Sequence, residues 1–193
     1  MVCEVWLVGV GMGNPSTLTL QAQQAILGSQ LVIGAPRLLQ MLKGCEAEQL
    51  ALVRTDDIVC ALRASDVSRA SVLFSGDVGF YSGAAPLARA LADDNVKVQA
   101  VPGISSLAYL CAQLLVPWQD VWAVSAHGRA CDPVAEVSTH ARVFFLTGGA
   151  IKAHDVCAAL AAAGLGDVRV CVGERLSYPD ETLVWGSAAE LAQ

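Results

Sequence analysis

Charge is scarce in this chain of 193 residues: Asp, Glu, Lys and Arg together make up 16% of it, and aromatic residues only 6%. No charged side chain occurs from Val5 to Pro36, nor from Val98 to Gln119. Such runs raise the question of a membrane, and their detail answers it. Asn14, Pro15 and several Gln and Ser interrupt the first, and Pro102, Gly103, Ser105 and Ser106 the second. The ~20 consecutive apolar residues of a spanning helix never accumulate, so no membrane partner is expected. Basic clusters are missing too. The 12 Lys and Arg fall singly, and with a net charge of −6 and a pI near 4.9 the chain lacks the electrostatic footprint of a nucleic-acid binder. The seven cysteines (3, 45, 60, 111, 131, 157, 171) contain no C-x-x-C pair, and His127, His140 and His154 show no H-x-x-x-H spacing. No metal site is therefore expected. An odd, dispersed cysteine set points instead to reduced thiols in a cytoplasmic protein. The opening Met1-Val2-Cys3-Glu4 has no basic n-region, so no secretory signal is expected.

What is present is apolar: 54% of the residues, ample to bury against the entropy of ordering the chain. Short β-branched runs alternate with helical stretches. Strands are expected at 4–10, 31–33, 71–75 and 97–101, with helices around 18–26, 36–42, 84–91 and 105–115. After Pro117-Trp118-Gln119-Asp120 come strands at 121–125, 142–146, 168–172 and 182–185, and a helix over 150–163 ending at Gly164. Strands alternating with helices define β-α-β units. The fold class is α/β: two α/β lobes, 1–116 and 117–193, with mostly parallel or mixed sheets.

In open parallel sheets ligands bind at the carboxyl ends of the strands, and four strands here end in glycine-rich segments. They are Gly9-Val10-Gly11-Met12-Gly13-Asn14-Pro15, Ser75-Gly76-Asp77-Val78-Gly79-Phe80-Tyr81, Val101-Pro102-Gly103-Ile104-Ser105-Ser106 and Thr147-Gly148-Gly149. Glycine lets backbone N–H and C=O groups approach a ligand with no Cβ in the way. The first segment suggests a dinucleotide fingerprint but fails it: Asn14 stands at the sixth position, and no Asp or Glu occurs between Glu4 and Glu46. No P-loop and no G-x-S-x-G elbow is present. What remains is a neutral, hydroxyl-lined set of loops with one acid, Asp77.

Those loops resemble the tetrapyrrole methylases. Gly9-Val-Gly-Met-Gly-Asn-Pro15 with Leu18-Thr19-Leu20 is similar to the opening motif of that family. Ser75-Gly-Asp-Val-Gly-Phe-Tyr81 is similar to its G-D-P-x-F segment, and Pro102-Gly-Ile-Ser-Ser106 to its P-G-I-[ST]-S turn. Ser125-Ala-His-Gly-Arg129 and Gly173-Glu-Arg-Leu-Ser-Tyr-Pro-Asp-Glu181 resemble one branch, the cobalt-precorrin C5-methyltransferases. Met12 and Val78 stand where the family usually has proline, which leaves two loops without a fixed φ.

The resemblance implies an S-adenosylmethionine-dependent methyltransferase acting on a corrinoid precursor in cobalamin biosynthesis. It implies S-adenosylmethionine held in a cleft between the lobes, against Gly11, Met12, Gly13, Ser75, Gly76, Asp77, Phe80, Ser105 and Ser106 of the first and Thr147 and Gly148 of the second. Because a sulfonium is already a good leaving group, such an enzyme works mainly by positioning, and His127 and Tyr81 are the candidates for proton handling. The acidic chain must present a local basic patch to the substrate's acetates and propionates, with Arg129 and Arg175 as candidates and Arg37 and Lys152 in reserve. Structural readings stand beside these: Asp77 as an Asx-turn residue, Ser105 and Ser106 as helix caps, Glu174–Arg175 as an exposed ion pair. A homodimer is expected by analogy, as is one methylation only, with a partner enzyme supplying C15 methylation and decarboxylation. The competing readings keep the fold and change the substrate, to another ring position, diphthamide or ribosomal RNA, or drop catalysis for a binding role.

Overall fold

The computed structural model describes residues 2–42 and 44–193. It divides into two compact units, Met1–Ser105 and Ser106–Gln193. In the first, β1 (Glu4–Gly9), β2 (Leu31–Gly34), β3 (Glu48–Ala51), β4 (Arg69–Phe74) and β5 (Lys97–Val101) form one sheet in the order β3-β2-β4-β1-β5. Every pairing in it is parallel. Parallel neighbours need crossovers, supplied by α1 (Leu20–Leu27), α2 (Pro36–Leu39), α3 (Thr55–Ala64) and α4 (Ala84–Ala90).

Strand side chains alternate between two cores. Val5, Leu7, Leu31, Ile33, Ala70 and Val72 pack with Ile58 and Leu62 of α3 and Leu87 of α4. Val8, Val32 and Leu73 pack on the other face with Ala22, Ala25 and Ile26 of α1 and Leu38 of α2. Helices on both faces explain why no strand of this sheet carries a charge beyond its first residue, since burying each Leu or Ile stabilises by roughly 1.5–3 kcal/mol. Ser71 is the buried polar residue of β4. Its fully buried hydroxyl is satisfied by Ser29 Oγ at 2.8 Å and the Ala25 carbonyl at 3.2 Å.

The second unit begins with α5 (Ser106–Gln113), a helix that the sequence reading had grouped with the first lobe. Strands β6 (Trp122–Ser125) and β7 (Val143–Leu146) pair in parallel, joined through α6 (Pro133–Thr139). After α7 (Ala153–Ala162) come β8 (Arg169–Glu174) and β9 (Thr182–Ser187), which pair antiparallel. A small core of Val156, Leu160 and Ala188 gathers Val134, Val137, Phe145 and Val170 around it.

Local chemistry sets several boundaries. Thr19 caps α1 by accepting the Ala22 N–H at 3.1 Å, and Asp132 caps α6 by accepting from Val134 and Ala135, with Pro133 at the first helical position. Three elements went unread in the sequence: β3, α3 and α6. The helix expected over 36–42 is the single turn Pro36–Leu39.

Candidate active site

Because the five strands of the first unit run the same way, their carboxyl ends lie along one edge. The adjacent strands β4, β1 and β5 deliver three glycine segments there. Gly11 and Gly76 form a two-way bridge: Gly76 N–H donates to the Gly11 carbonyl at 2.6 Å, and Gly11 N–H to the Gly76 carbonyl at 3.2 Å. Gly9 and Gly103 pass so close that a Cβ on Gly103 would lie 2.2 Å from the Gly76 oxygen and 2.6 Å from the Gly9 carbonyl carbon. No side chain fits at that crossing.

Asp77 ties the crossing together. Its Oδ1 accepts the Gly79 N–H at 2.8 Å and its Oδ2 the Gly103 N–H at 2.9 Å. The first bond is the Asx-turn pattern; the second fastens the loop after β4 to the loop after β5. Ser105 follows on this edge, its Cα 3.7 Å from where a Gly76 Cβ would be. Phe80 and Tyr81 close the β4 loop with their rings edge to face at 4.8 Å. Tyr81 holds φ 47°, a left-handed conformation that a bulky residue keeps only where its surroundings impose it. Met12 contributes its carbonyl, which accepts from the Arg37 guanidinium at 3.2 Å. Arg37 is thereby tied to the β1 loop.

In the second unit, β6 and β7 end side by side, with the Ala126 N–H on the Leu146 carbonyl at 2.9 Å. This brings His127 onto the Thr147-Gly148 segment, where a Cβ at Gly148 would fall 2.5 Å from His127 Nδ1. Gly148 also holds φ 146° and bridges Ile151, so two independent constraints demand glycine there. His127, Gly128 and Arg129 are exposed. Lys152 precedes α7, and its backbone N–H is capped by Asp155 at 2.7 Å. Arg175 lies in the turn joining β8 to β9, paired through Nε with Asp180 and set 5.3 Å over the Tyr178 ring. Its partner is therefore Asp180 rather than the adjacent Glu174. Ser106 opens α5.

The structure thus gathers Gly11, Gly76, Asp77 and Ser105 at one edge of the first unit, with Ser75, Phe80 and Tyr81 in the same β4 loop. In the second unit it gathers His127, Thr147 and Gly148. Sequence reasoning missed Gly9 and Gly103 as steric partners, although both stand at strand ends in the quoted motifs. It also missed Tyr109 and Glu181. The phenol of Tyr109 donates to the Glu181 carboxylate, and that bond, with burial, pushes its pKa up.

The fold is that of a methylase. The tetrapyrrole (corrin/porphyrin) methylase family matches residues 4–192, and the chain belongs to that family. Among its relatives, the cobalt-precorrin-7 C(5)-methyltransferase of Salmonella typhimurium is 28% identical over 180 residues, spanning 93% of this chain and 88% of that protein. The structure of the cobalamin-biosynthetic precorrin-6Y methylase of Archaeoglobus fulgidus superposes with a TM-score of 0.71 at 22% identity, over 96% of this chain and 90% of the other. Uroporphyrin-III C-methyl transferase from Thermus thermophilus, complexed with S-adenyl homocysteine, gives 0.74 at 23% identity, over 98% and 85%.

Proposed function

We propose that this chain transfers a methyl group from S-adenosylmethionine to C5 of a precorrin or cobalt-precorrin ring in cobalamin biosynthesis. The observation that carries the reading is the edge where the β1, β4 and β5 loops cross at Gly9, Gly76 and Gly103, in a chain of the tetrapyrrole methylase family. That edge offers peptide groups, small side chains and one carboxylate already committed to two backbone N–H groups. It suits a ligand recognised through neutral contacts.

S-adenosylmethionine, when bound, supplies an electrophilic methyl group on a sulfonium. The chain's task is then to hold and orient. Gly11, Met12, Gly13, Ser75, Gly76, Phe80 and Ser105 of the first unit, and Ser106, Thr147 and Gly148 of the second, are the residues proposed to hold it. Asp77 contributes by fixing the β4 and β5 loops against each other, so its turn-forming and cofactor-site readings become one role. Arg129 and Arg175, both exposed, receive the ring's acetate and propionate groups. His127, whose imidazole lies against Gly148, and Tyr81 are the residues proposed to take the proton released at the methylated carbon.

No described helix is long and apolar enough to cross a membrane. A cytoplasmic location suits seven thiols, among them Cys111 and Cys157 buried in the second unit. We also place the chain in a homodimer, using exposed apolar side chains such as Leu115, Trp118 and Trp185, and beside a partner enzyme that completes C15 methylation and decarboxylation. Native mass in solution reads the first point directly.

The test begins with calorimetric titration of S-adenosylhomocysteine, with NAD as control. One-to-one binding of the former alone is expected, weakened about tenfold or more in Asp77→Ala through loss of two charge-assisted bonds. A wild-type protein that binds no S-adenosylhomocysteine and methylates no precorrin would overturn the assignment.

A further inference from the structure

The turn from Arg175 to Glu181 is more elaborate than its connection requires. Antiparallel strands such as β8 and β9 can be joined by two residues, yet seven intervene here, and two non-glycine residues among them hold left-handed backbone, Arg175 at φ 50° and Ser177 at φ 72°. Strain of this kind persists only where neighbours over-determine it, and it concentrates at functional sites.

The neighbours come from α5. Glu181 accepts the Ser177 N–H through Oε2 and the Tyr109 hydroxyl. One residue along, Leu110 of α5 and Leu176 of the turn lie 3.3 and 2.9 Å from where a Gly173 Cβ would be, so Leu176 is seated over the bare backbone of Gly173. The turn closes on itself through the Tyr178 N–H to the Arg175 carbonyl at 2.9 Å and the Glu181 N–H to the Tyr178 carbonyl at 3.0 Å. Arg175 is then fixed on one edge by Asp180 and on one face by Tyr178, while its side chain stays 61% exposed. A guanidinium has five N–H donors in a rigid fork and a bidentate carboxylate takes two of them, so a guanidinium paired with Asp180 keeps donor capacity for a second carboxylate.

We propose that Tyr109 and Glu181 are positioning residues: they clasp the β8–β9 turn from α5 so that Arg175 is presented in one orientation to a carboxylate of the tetrapyrrole. The inference rests on the reading of Arg175 as a substrate-binding residue. The Glu181 carboxylate, together with burial, pushes the Tyr109 phenol's pKa up, so the phenol remains the donor of the clasp. Because α5 begins at Ser106, the same helix carries a proposed cofactor residue at its start and the clasp one turn later.

The test is steady-state methylation by the full chain, with S-adenosylmethionine and a cobalt-precorrin bearing free acetates and propionates. In Tyr109→Phe the KM for the tetrapyrrole is expected to rise about tenfold, with kcat and the Kd of S-adenosylhomocysteine changed less than about twofold. Glu181→Gln keeps an acceptor and should raise KM only about threefold, and it carries the same test if Tyr109→Phe fails to fold by circular dichroism. An unchanged KM in a folded variant, or equal losses in KM, kcat and S-adenosylhomocysteine affinity, overturns the clasp while leaving the methylase reading intact. A wild-type chain that fails to methylate the ring defeats the reading itself, and the clasp with it.

Discussion

The two units build their proposed sites from different materials. The first presents backbone: a five-stranded parallel sheet, covered on both faces, carries three glycine segments to one edge, and the side chain that matters most there, Asp77, serves to fasten them. The second presents side chains on a slighter frame of two two-stranded sheets, namely His127 against Gly148, and Arg175 on a turn held from α5. A deep core can hold peptide groups to sub-ångström tolerance. A thinner one must use local clasps such as Tyr109–Glu181. The division predicts that damage to the first unit is felt mainly as lost cofactor affinity, and damage to the second mainly as altered turnover or substrate affinity, with a smaller loss of cofactor affinity through Ser106, Thr147 and Gly148.

Gly103→Ala should break the comparison hardest. Its Cβ would sit 2.2 Å from the Gly76 oxygen, and because backbone supplies the clash, the loops must separate. We expect S-adenosylhomocysteine affinity to fall about a hundredfold and stability by ~1–3 kcal/mol, read by calorimetry and thermal melting. Gly148→Ala is the counterpart in the second unit. It displaces His127 and strains a backbone at φ 146°; kcat should drop about tenfold and cofactor affinity only about threefold. An affinity collapse equal to that of Gly103→Ala would erase the proposed division of labour.

The smallest effect is expected at the opposite edge of the sheet, where Glu4 lies beside Arg69 at 2.7 Å and Lys97 at 3.1 Å. The nearby Trp6 indole, then Lys97 and Arg69, hold its carboxyl at about 2 instead of 4.5. A depressed carboxyl stabilises the fold fully above its unfolded pKa, and the benefit disappears as pH falls toward the folded value. Glu4→Gln should therefore melt lower than wild type at neutral pH, with the gap closing from pH 4.5 down to about 2, while methylation is unaffected. A gap that persisted at pH 2 would assign the difference to packing.

Much of this was legible in the sequence, for identifiable reasons. The strands 4–9 and 69–74 are central in the sheet and mostly buried, so they read as apolar runs; these and the edge strand 97–101 each lead into a glycine-rich segment, and the loops at their ends follow. β3 did not register because Glu48, Gln49 and Ala51 are exposed on an edge strand. The α3 pattern of Ile58, Val59 and Leu62 behind Asp56 and Asp57 was present but short. Asp132-Pro133 is a plain helix start that went unread. The Glu181 bond to Tyr109 could not have been read, because a pairing across 72 positions leaves no local signature in residues that are individually unremarkable in type. The Asp180 partner of Arg175 was likewise hidden: Glu174, adjacent in sequence, is the exposed last residue of β8, whereas the turn folds Asp180 back onto the guanidinium.

The crossing of Gly9, Gly76 and Gly103 limits how such a chain can diverge. Gly9 and Gly103 each forgo a side chain for the other and for the Gly76 carbonyl, while Gly76 is held to glycine by its φ of 72°, so an exchange at one finds no vacancy opened by an exchange at another. Met12 and Val78, a few residues away in the same loops, are under no such constraint, and their departure from proline leaves the crossing itself intact. A descendant of this chain could acquire a new substrate by rewriting what the loops display. It could not add one carbon where they meet.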